Sequence, residues 1–413
     1  MINMNSKRII FHIDANNAFL SWTAVELLKN GYKEDIRTIA SVIGGDEEAR
    51  RGIVLAKSPV AKAMGIKTAE PLFFAKQKCQ NLQIFKSDFK VYKKYSKAMI
   101  EIFKKNTDII EQFSIDECFL DMTNSLFNNE DPLDRAKAIS KEVKETLGFT
   151  VNIGISNNKL LAKMASDFEK PDKIHTLYPN EIEEKMWPLP VSSLFGVGKQ
   201  TAVKLERIGL KTIGDIAKSN SKLLEKRFGK YGKEIWEHSN GIDDSKVENK
   251  YGKPKGIGNS ITLPKDEDKI ENLEKILLGL AEEVGYRLRK EKMQTNTVCV
   301  NIKTNSFINF SHQKKLNFGT SSTKEIYAAG KELLHELYKK INNSKVRLIG
   351  LRVDTISEGS QKQLSLFDKE EKHEKKQNNL DDAIDKLKLK YGYNIISRAG
   401  DMEVKDIISP RDD

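Results

Sequence analysis

Three carboxylates in this 413-residue chain are of the right type to share divalent cations: Asp14 in RIIFHID, and the adjacent Asp116 and Glu117 in SIDECFLDMT. Hard cations such as Mg2+ take oxygen ligands, and two of them about 4 Å apart can serve both the attacking and the leaving oxygen of an in-line displacement. Such a site needs carboxylates that converge from separate strands. An adjacent Asp-Glu pair alone is usually a solvated turn, so the chemistry depends on what brings Asp14 to it. Lys163 and Lys170 follow further along. Ammonium groups offset negative charge on phosphate oxygens, and a separation of two helical turns lets both face one side.

The elements that must position these groups are legible in outline. RIIFHID is a short buried strand ending in a carboxylate, and AFLSWTAVELL after it has helical spacing. A second amphipathic helix spans residues 90–105. IIEQFSIDECFLDMT then alternates and turns at Ser114–Glu117, as an antiparallel hairpin does, which puts the acidic pair at its tip. A helix at 132–147, the strand FTVNIGIS and a helix from about Asn158 complete a β-α-β-β-α-β order. That is the split βαβ, ferredoxin-like plan, whose central antiparallel strands present carboxylates from neighbouring positions. Residues 20–87 are an insertion into it.

Residues 178–243 change to short helices punctuated by glycine, centred on the helix-hairpin-helix string LFGVGKQTAVKLERIGLKTIGDIA. Gly196 and Gly198 allow backbone amides to approach a phosphate at a helix N-terminus, with Lys199 adding charge. Polar, Lys-rich residues 244–256 are a linker by composition. Residues 257–356 repeat the order strand, long helix, two strands, helix, strand. Beyond Ser357 the polar run DKEEKHEKKQ predicts a mostly disordered tail broken by one helix at 379–390.

Composition agrees with several domains that meet a polyanion: 38% hydrophobic and 31% charged residues, with a formal net charge of +11. Cys79, Cys118 and Cys299 show no C-x-x-C spacing, so neither disulfide framework nor zinc knuckle is indicated. No stretch approaches the roughly 20 apolar residues of a membrane span. A cytoplasmic, nucleoid-associated monomer is expected.

The strings FHIDANNAFLS and SIDECFLDMT lie in the same order and separation as the palm motifs of Y-family DNA polymerases, and the chain resembles the Gram-positive, UmuC-like members over almost its whole length. The resemblance implies an α+β right hand: a ferredoxin-like palm (1–16 and 88–177), small fingers (17–87), a helix-hairpin-helix thumb (178–243), a linker and a little finger (257–356). It implies low-fidelity translesion synthesis from dNTPs on primer-template DNA with two Mg2+ ions, Mn2+ being able to substitute. Asp14 and Asp116 would bridge both ions, Glu117 would hold the one at the primer end, and the Ala15 carbonyl would complete the other. Phe19 would be the steric gate, excluding ribonucleotides by clash with a 2′-hydroxyl.

Lys170, in FEKPDK, matches the triphosphate lysine, with Lys163 ranked below it. The fingers depart from the pattern: Pro59 replaces a common Tyr, and Lys62 an Arg, losing bidentate geometry. Asn16 and Asn17 replace a commoner Asp-Cys or Asp-Tyr pair. Lys303, Lys314 and Lys315 are candidate duplex contacts. QLSLF resembles a sliding-clamp-binding peptide, with Gln363 in a polar pocket and Leu364, Leu366 and Phe367 in an apolar groove. Two rivals are a nucleotide cyclase, which needs no duplex grip, and a non-catalytic clamp-recruiting scaffold.

Overall fold

Strand β1 (Ile10–Ala15) is buried at all six positions because helices cover both faces of its sheet. In the computed structural model, which describes residues 8–45, 52–126, 130–249, 254–342, 344–357, 371–392 and 395–396, the chain divides into two units. The first takes in residues 1–45 and 53–251, the second 46–52 and 252–413.

In the first unit β1 leads into α1 (Ala18–Lys29), then a small subdomain of β2 (Ser41–Gly44), β3 (Val54–Lys57), α2 (Pro59–Ala63), α3 (Leu72–Lys78) and β4 (Gln83–Lys86). This subdomain has a three-stranded sheet, order β3-β2-β4, and a core of its own around Val42, Val54, Ile66 and Leu72. The buried side of α1, with Leu20, Trp22 and Val25, belongs instead to the core of the main sheet.

The chain returns through α4 (Phe89–Lys104), β5 (Ile110–Gln112), β6 (Glu117–Asp121), α5 (Pro132–Leu147), β7 (Val151–Ser156), α6 (Lys159–Ser166) and β8 (Ile174–Thr176). The Asp88 carboxylate caps α4; Asp131 and Pro132 begin α5, and Gly148, at φ 79°, ends it. The sheet order is β5-β6-β1-β7-β8, with β1 antiparallel to both β6 and β7. Four of these strands have the ferredoxin-like order; β8 extends one edge.

Strand parity assigns the two faces. Phe11, Ile13, Cys118 and Leu120 point to the core shared with α1, α4 and α5. Ile10 and Phe119 point to the opposite face, under α6. Gly154, opposite His12, permits the close seat of α6, since a Cβ there would lie 1.9 Å from the Ala162 carbonyl oxygen.

Four helices follow: α7 (Lys199–Glu206), α8 (Ile213–Lys218), α9 (Ser221–Phe228) and α10 (Lys230–Ser239). Their core includes Leu160, Leu161 and Met164 of α6, so this segment packs directly on the palm helix. The expected linker begins as a pinned strip. The Asn249 side chain accepts from Ile110 N at 2.6 Å and donates to Asp108 O at 2.6 Å, and Val247 is buried beside Ile10 and Phe119. Composition signals polarity, whereas the matching of each polar group to the β5 edge is a tertiary fact.

The second unit contains β9 (Gly256–Glu267), α11 (Ile270–Lys290), β10 (Gln294–Thr304), β11 (Asn309–Thr320), α12 (Thr323–Lys340), β12 (Val346–Ser357) and α13 (Glu371–Tyr391). Its sheet order is β11-β10-β12-β9, and α11 and α12 bury Leu277, Leu280, Leu333 and Leu334 against Val298, Val300, Ile349 and Leu351. α13 begins eight residues before the expected helix at 379–390 and is seated on α11. Arg289 Nε and Nη2 donate to Asp385 at 2.6 and 3.0 Å, and Lys388 pairs with Glu282 at 3.0 Å. Asp381 accepts from Thr323 N at 3.1 Å, capping α12 from another helix. These partners lie far away in sequence, so local composition shows only a polar tail. The clamp-like peptide Gln363–Phe367 lies outside the described residues.

Candidate active site

Asp14 shares the α6 face with Ile10 and His12, and its register partner across the ladder is Glu117. Asp116 joins the same end of the sheet, its carbonyl accepting from Ala15 N at 3.0 Å. The hairpin tip is held by Ser114, whose Oγ donates to Asp116 Oδ1 at 2.6 Å and accepts from Glu117 N at 3.0 Å. The local turn and the central position of β1 therefore bring the three carboxylates together. The turn at Ser114–Glu117 is where the sequence places it, and the hydroxyl two residues before Asp116 is the local signal for its bonding role.

Two cations of the chain face these anions. Lys170 pairs with Asp14 and, at 2.8 Å, with Asp167; Lys163 Nζ lies 2.6 Å from Glu117 Oε1. The two lysines thus part to different carboxylates instead of sharing one phosphate-facing side. α6 stops at Ser166, so Lys170 sits on the following turn while Lys163, itself buried, stays under the helix. Burial pushes the Asp14 carboxyl up to about 6 against the opposing pull of Lys170, with the charges of Glu117 and Asp116 adding to the rise. Burial opposes the charge on Lys170, yet Asp14 and Asp167 raise its pKa on balance.

Beneath them His12 is completely buried, its Nδ1 2.7 Å from Ser166 Oγ. Burial first, then Lys163 and Lys170, hold its pKa well below the ordinary value, so it is a neutral floor to the site.

Among the described residues no group of three or more His, Cys, Asp and Glu side chains stands close enough, as the side chains are placed, to hold a metal ion. The chemistry of the three side chains nevertheless fits hard divalent cations: all are carboxylates at one end of the sheet, and two of them are paired with ammonium groups that a cation would displace or share.

The unusual Asn16 and Asn17 have structural work here. Asn16 is buried; with its amide turned so that the nitrogen faces Asn152 Oδ1 at 2.9 Å, its oxygen accepts from Asp172 N at 3.1 Å, the orientation that satisfies both groups. Asn152 in turn donates to Ser166 O at 3.0 Å and Glu169 O at 2.6 Å, fixing the turn that carries Lys170. Asn17 adopts the left-handed conformation that Asn tolerates, φ 48°, and donates to Lys57 O at 2.8 Å, joining β1 to β3. Pro59 is the first residue of α2, where its missing N–H costs nothing, and Ser58 caps that helix. Lys62 on the same short helix is exposed.

Phe19 stacks on Tyr92 at 4.3 Å and 12°, with Phe89 and Trp22 also around it. Gly196, at φ 93°, and Gly198 have no atom within 4 Å of where a Cβ would stand, so this turn presents bare backbone and the exposed Lys199. In the second unit, parity separates the candidate lysines. Lys314 pairs across from Val298 and bonds Glu332 of α12, on the helix side. Lys303 and Lys315 fall on the helix-free face with Asn301, Gln313 and Arg352.

A ferredoxin-like sheet with converging carboxylates, a small inserted subdomain, a helix-hairpin-helix segment and a separate sheet domain define a right-hand polymerase. Residues 13–167 match the impB/mucB/samB family, residues 254–366 its C-terminal domain, and residues 192–243 the thumb domain of DNA polymerase iota. The chain is 46% identical over 392 residues to DNA polymerase IV of Clostridium acetobutylicum, covering 95% of this chain and 98% of that one. With DNA polymerase IV 1 of Bacillus subtilis the identity is 33%, over 97% and 94%. A Y-family chimera of the polymerases Dbh and Dpo4 superposes with a TM-score of 0.73 at 26% identity, covering 84% of this chain and 99% of that one. An insertion ternary complex of Dbh DNA polymerase gives 0.59 at 25%, with the same coverage.

The chain belongs to the impB/mucB/samB family, the Y-family DNA polymerases. Its members are metal-dependent DNA-directed DNA polymerases of translesion synthesis. Matches through the thumb and C-terminal domain leave the cyclase reading without support.

Proposed function

We propose that the chain extends primers past damaged template bases with low fidelity, using two Mg2+ ions held by Asp14, Asp116, Glu117 and the Ala15 carbonyl. The observation that carries this reading is the convergence of Asp14 and Glu117 on one face of the sheet, each neutralised by a lysine. Bound divalent ions would activate the primer hydroxyl and offset charge on the leaving pyrophosphate. The protein's part is placement: Ser114 fixes the hairpin tip, and the Asn16–Asn152 pair fixes the turn of Lys170. Lys170, now paired with Asp14, would meet the triphosphate when that carboxylate holds a cation, with Lys62 on the fingers as a second positive group.

Phe19, wedged against Tyr92, serves as the sugar gate. Backbone amides at Gly196–Lys199 and the helix-free face bearing Lys303 and Lys315 hold the duplex without reading its sequence. Gln363–Phe367 is proposed to bind the sliding clamp. The enzyme works as a monomer in the cytoplasm, where its template is; no helix among the described residues is long and apolar enough to cross a membrane.

Extension of a labelled primer with deoxynucleotides and Mg2+ tests the reading. Asp116→Ala should abolish extension, and Phe19→Ala should admit ribonucleotides. Template binding by the wild type without extension under any divalent ion would favour the scaffold instead.

A further inference from the structure

Lys163 is held in place by more than the palm sheet. Its Nζ, 2.6 Å from Glu117 Oε1, also lies 5.6 Å from the ring centroids of both Phe113 and Phe195. The two rings meet edge to face at 6.1 Å, completing a cage around the ammonium. Phe113 belongs to the hairpin and its N donates to Glu117 O at 2.9 Å. Phe195 comes from the thumb segment. Its N donates to Met164 Sδ at 3.4 Å, beside Lys163, and it directly precedes the Gly196 turn, whose carbonyl accepts from Tyr231 of α10 at 2.6 Å.

A lysine has four rotatable bonds and loses roughly 2 kcal/mol of rotamer entropy when fixed. The pair with Glu117 must offset that and the hydration both groups lose on burial, and a cavity of about 200 Å3 lined by Phe113, Lys163, Phe195 and His238 gives the ammonium somewhere to go. The aromatic faces are what confine it.

We propose that Phe195 is a positioning residue for the polymerase reaction: it closes the cage that keeps Lys163 on Glu117, and so ties the orientation of the primer-side carboxylate to the seating of the thumb turn. The inference rests on reading Glu117 as a cation ligand. Confined there, Lys163 fixes one oxygen of Glu117 and also opposes an incoming cation. Loosening the cage therefore has two effects of opposite sign: the cation binds more readily, and the carboxylate is less well aimed.

The test uses the full chain with Phe195→Leu, which keeps apolar bulk but not the ring, and Phe195→Tyr, which keeps both. Mn2+ binding without DNA is followed by electron paramagnetic resonance of the free ion, alongside insertion kcat, nucleotide KM, primer-template Kd and melting temperature. In Phe195→Leu, Mn2+ should bind about two- to fivefold tighter while kcat falls by a similar factor, the worth of one cation–π contact. KM and melting temperature should hold, and Phe195→Tyr should restore wild-type values. General damage would weaken both quantities together.

Unchanged or weaker Mn2+ binding in Phe195→Leu overturns the proposal, and a weakened primer-template Kd in its place makes Phe195 a DNA contact. Should Phe195→Leu melt early, Phe113→Leu reads the other wall of the cage with the same expected signs. Mn2+ binding that survives Glu117→Gln would sink the reading of Glu117 as a ligand, separately from the cage.

Discussion

The two units share one element order, β-α-β-β-α-β, and use it differently. In the first, the initial strand lies at the centre of the sheet, beside the hairpin strand β6, so that Asp14 and Glu117 meet across a ladder. In the second, the initial strand β9 is an edge strand, separated from the β10–β11 hairpin by β12. No carboxylate pair can form there in the same way. Both units also bury lysine or arginine against carboxylates, but with different consequences. The palm pairs, Lys163–Glu117 and Lys170–Asp14, involve the carboxylates proposed above as cation ligands. The pairs of Arg289 with Asp385 and Lys388 with Glu282 bind one helix to another. A buried ion pair by itself therefore does not mark a catalytic centre; the distinction lies in what lies beside it, an extra carboxylate or a helix end.

The sharpest way to break this contrast is to remove a carboxylate from each unit's network. Asp116→Ala should lower kcat for insertion by on the order of a thousandfold or more, because several kcal/mol of charge stabilisation is lost. Its melting temperature should not fall, since a like charge has been removed from beside Asp14. A clear drop in thermal stability would mean that the palm carboxylates are structural, like those of the second unit.

Arg289→Ala should do the reverse. It leaves Asp381 and Asp385 buried without their guanidinium, and breaking a buried pair costs about 3 kcal/mol. Urea unfolding of the second unit should show the loss, while single-nucleotide insertion keeps its rate. Slower insertion at unchanged stability would assign α13 a part in the reaction.

The pH dependence of the metal-free chain sharpens the palm side. Burial raises the Asp14 carboxyl to about 6 in the folded chain, above its ordinary value of 3.8. The folded state then holds a proton that the unfolded state has released, so Asp14 contributes stability that is complete below about pH 4 and lost as pH rises through about 6. The difference amounts to about 2 to 3 kcal/mol. Denaturation in chelator should show this slope in the wild type and lose it in Asp14→Asn, which should be the more stable of the two at pH 7.5.

Lys170→Ala should raise the nucleotide KM about tenfold, a loss comparable to one charge-assisted contact. The smallest effect tests the parity argument in the second unit. Lys315→Ala should weaken primer-template binding about two- to threefold and reduce the salt slope by about one ion. Lys314→Ala, on the helix side with Glu332, should leave both nearly unchanged. Equal effects would erase the distinction between the faces.

Much of this molecule could be read in the chain itself. Local rules located the strand ending at Asp14, the hairpin carrying Asp116 and Glu117, the capped helix at 132–147 and the glycines of the thumb turn, because alternation, capping and positive φ act within a few residues. The strand end at Asp14 and the hairpin tip at Asp116 and Glu117 are local features, whereas their joint role is what the family resemblance implies. What local rules cannot contain is the pairing between distant segments. Only the fold placed β1 beside β6, parted Lys163 from Lys170, set Asn16 against Asn152, and brought Phe195 over a lysine 32 positions earlier. The helix α13 and the strip around Asn249 read as polar tail and linker for the same reason: their stabilising partners lie 58 to 141 residues away, and polar composition alone does not say whether a matching surface awaits it.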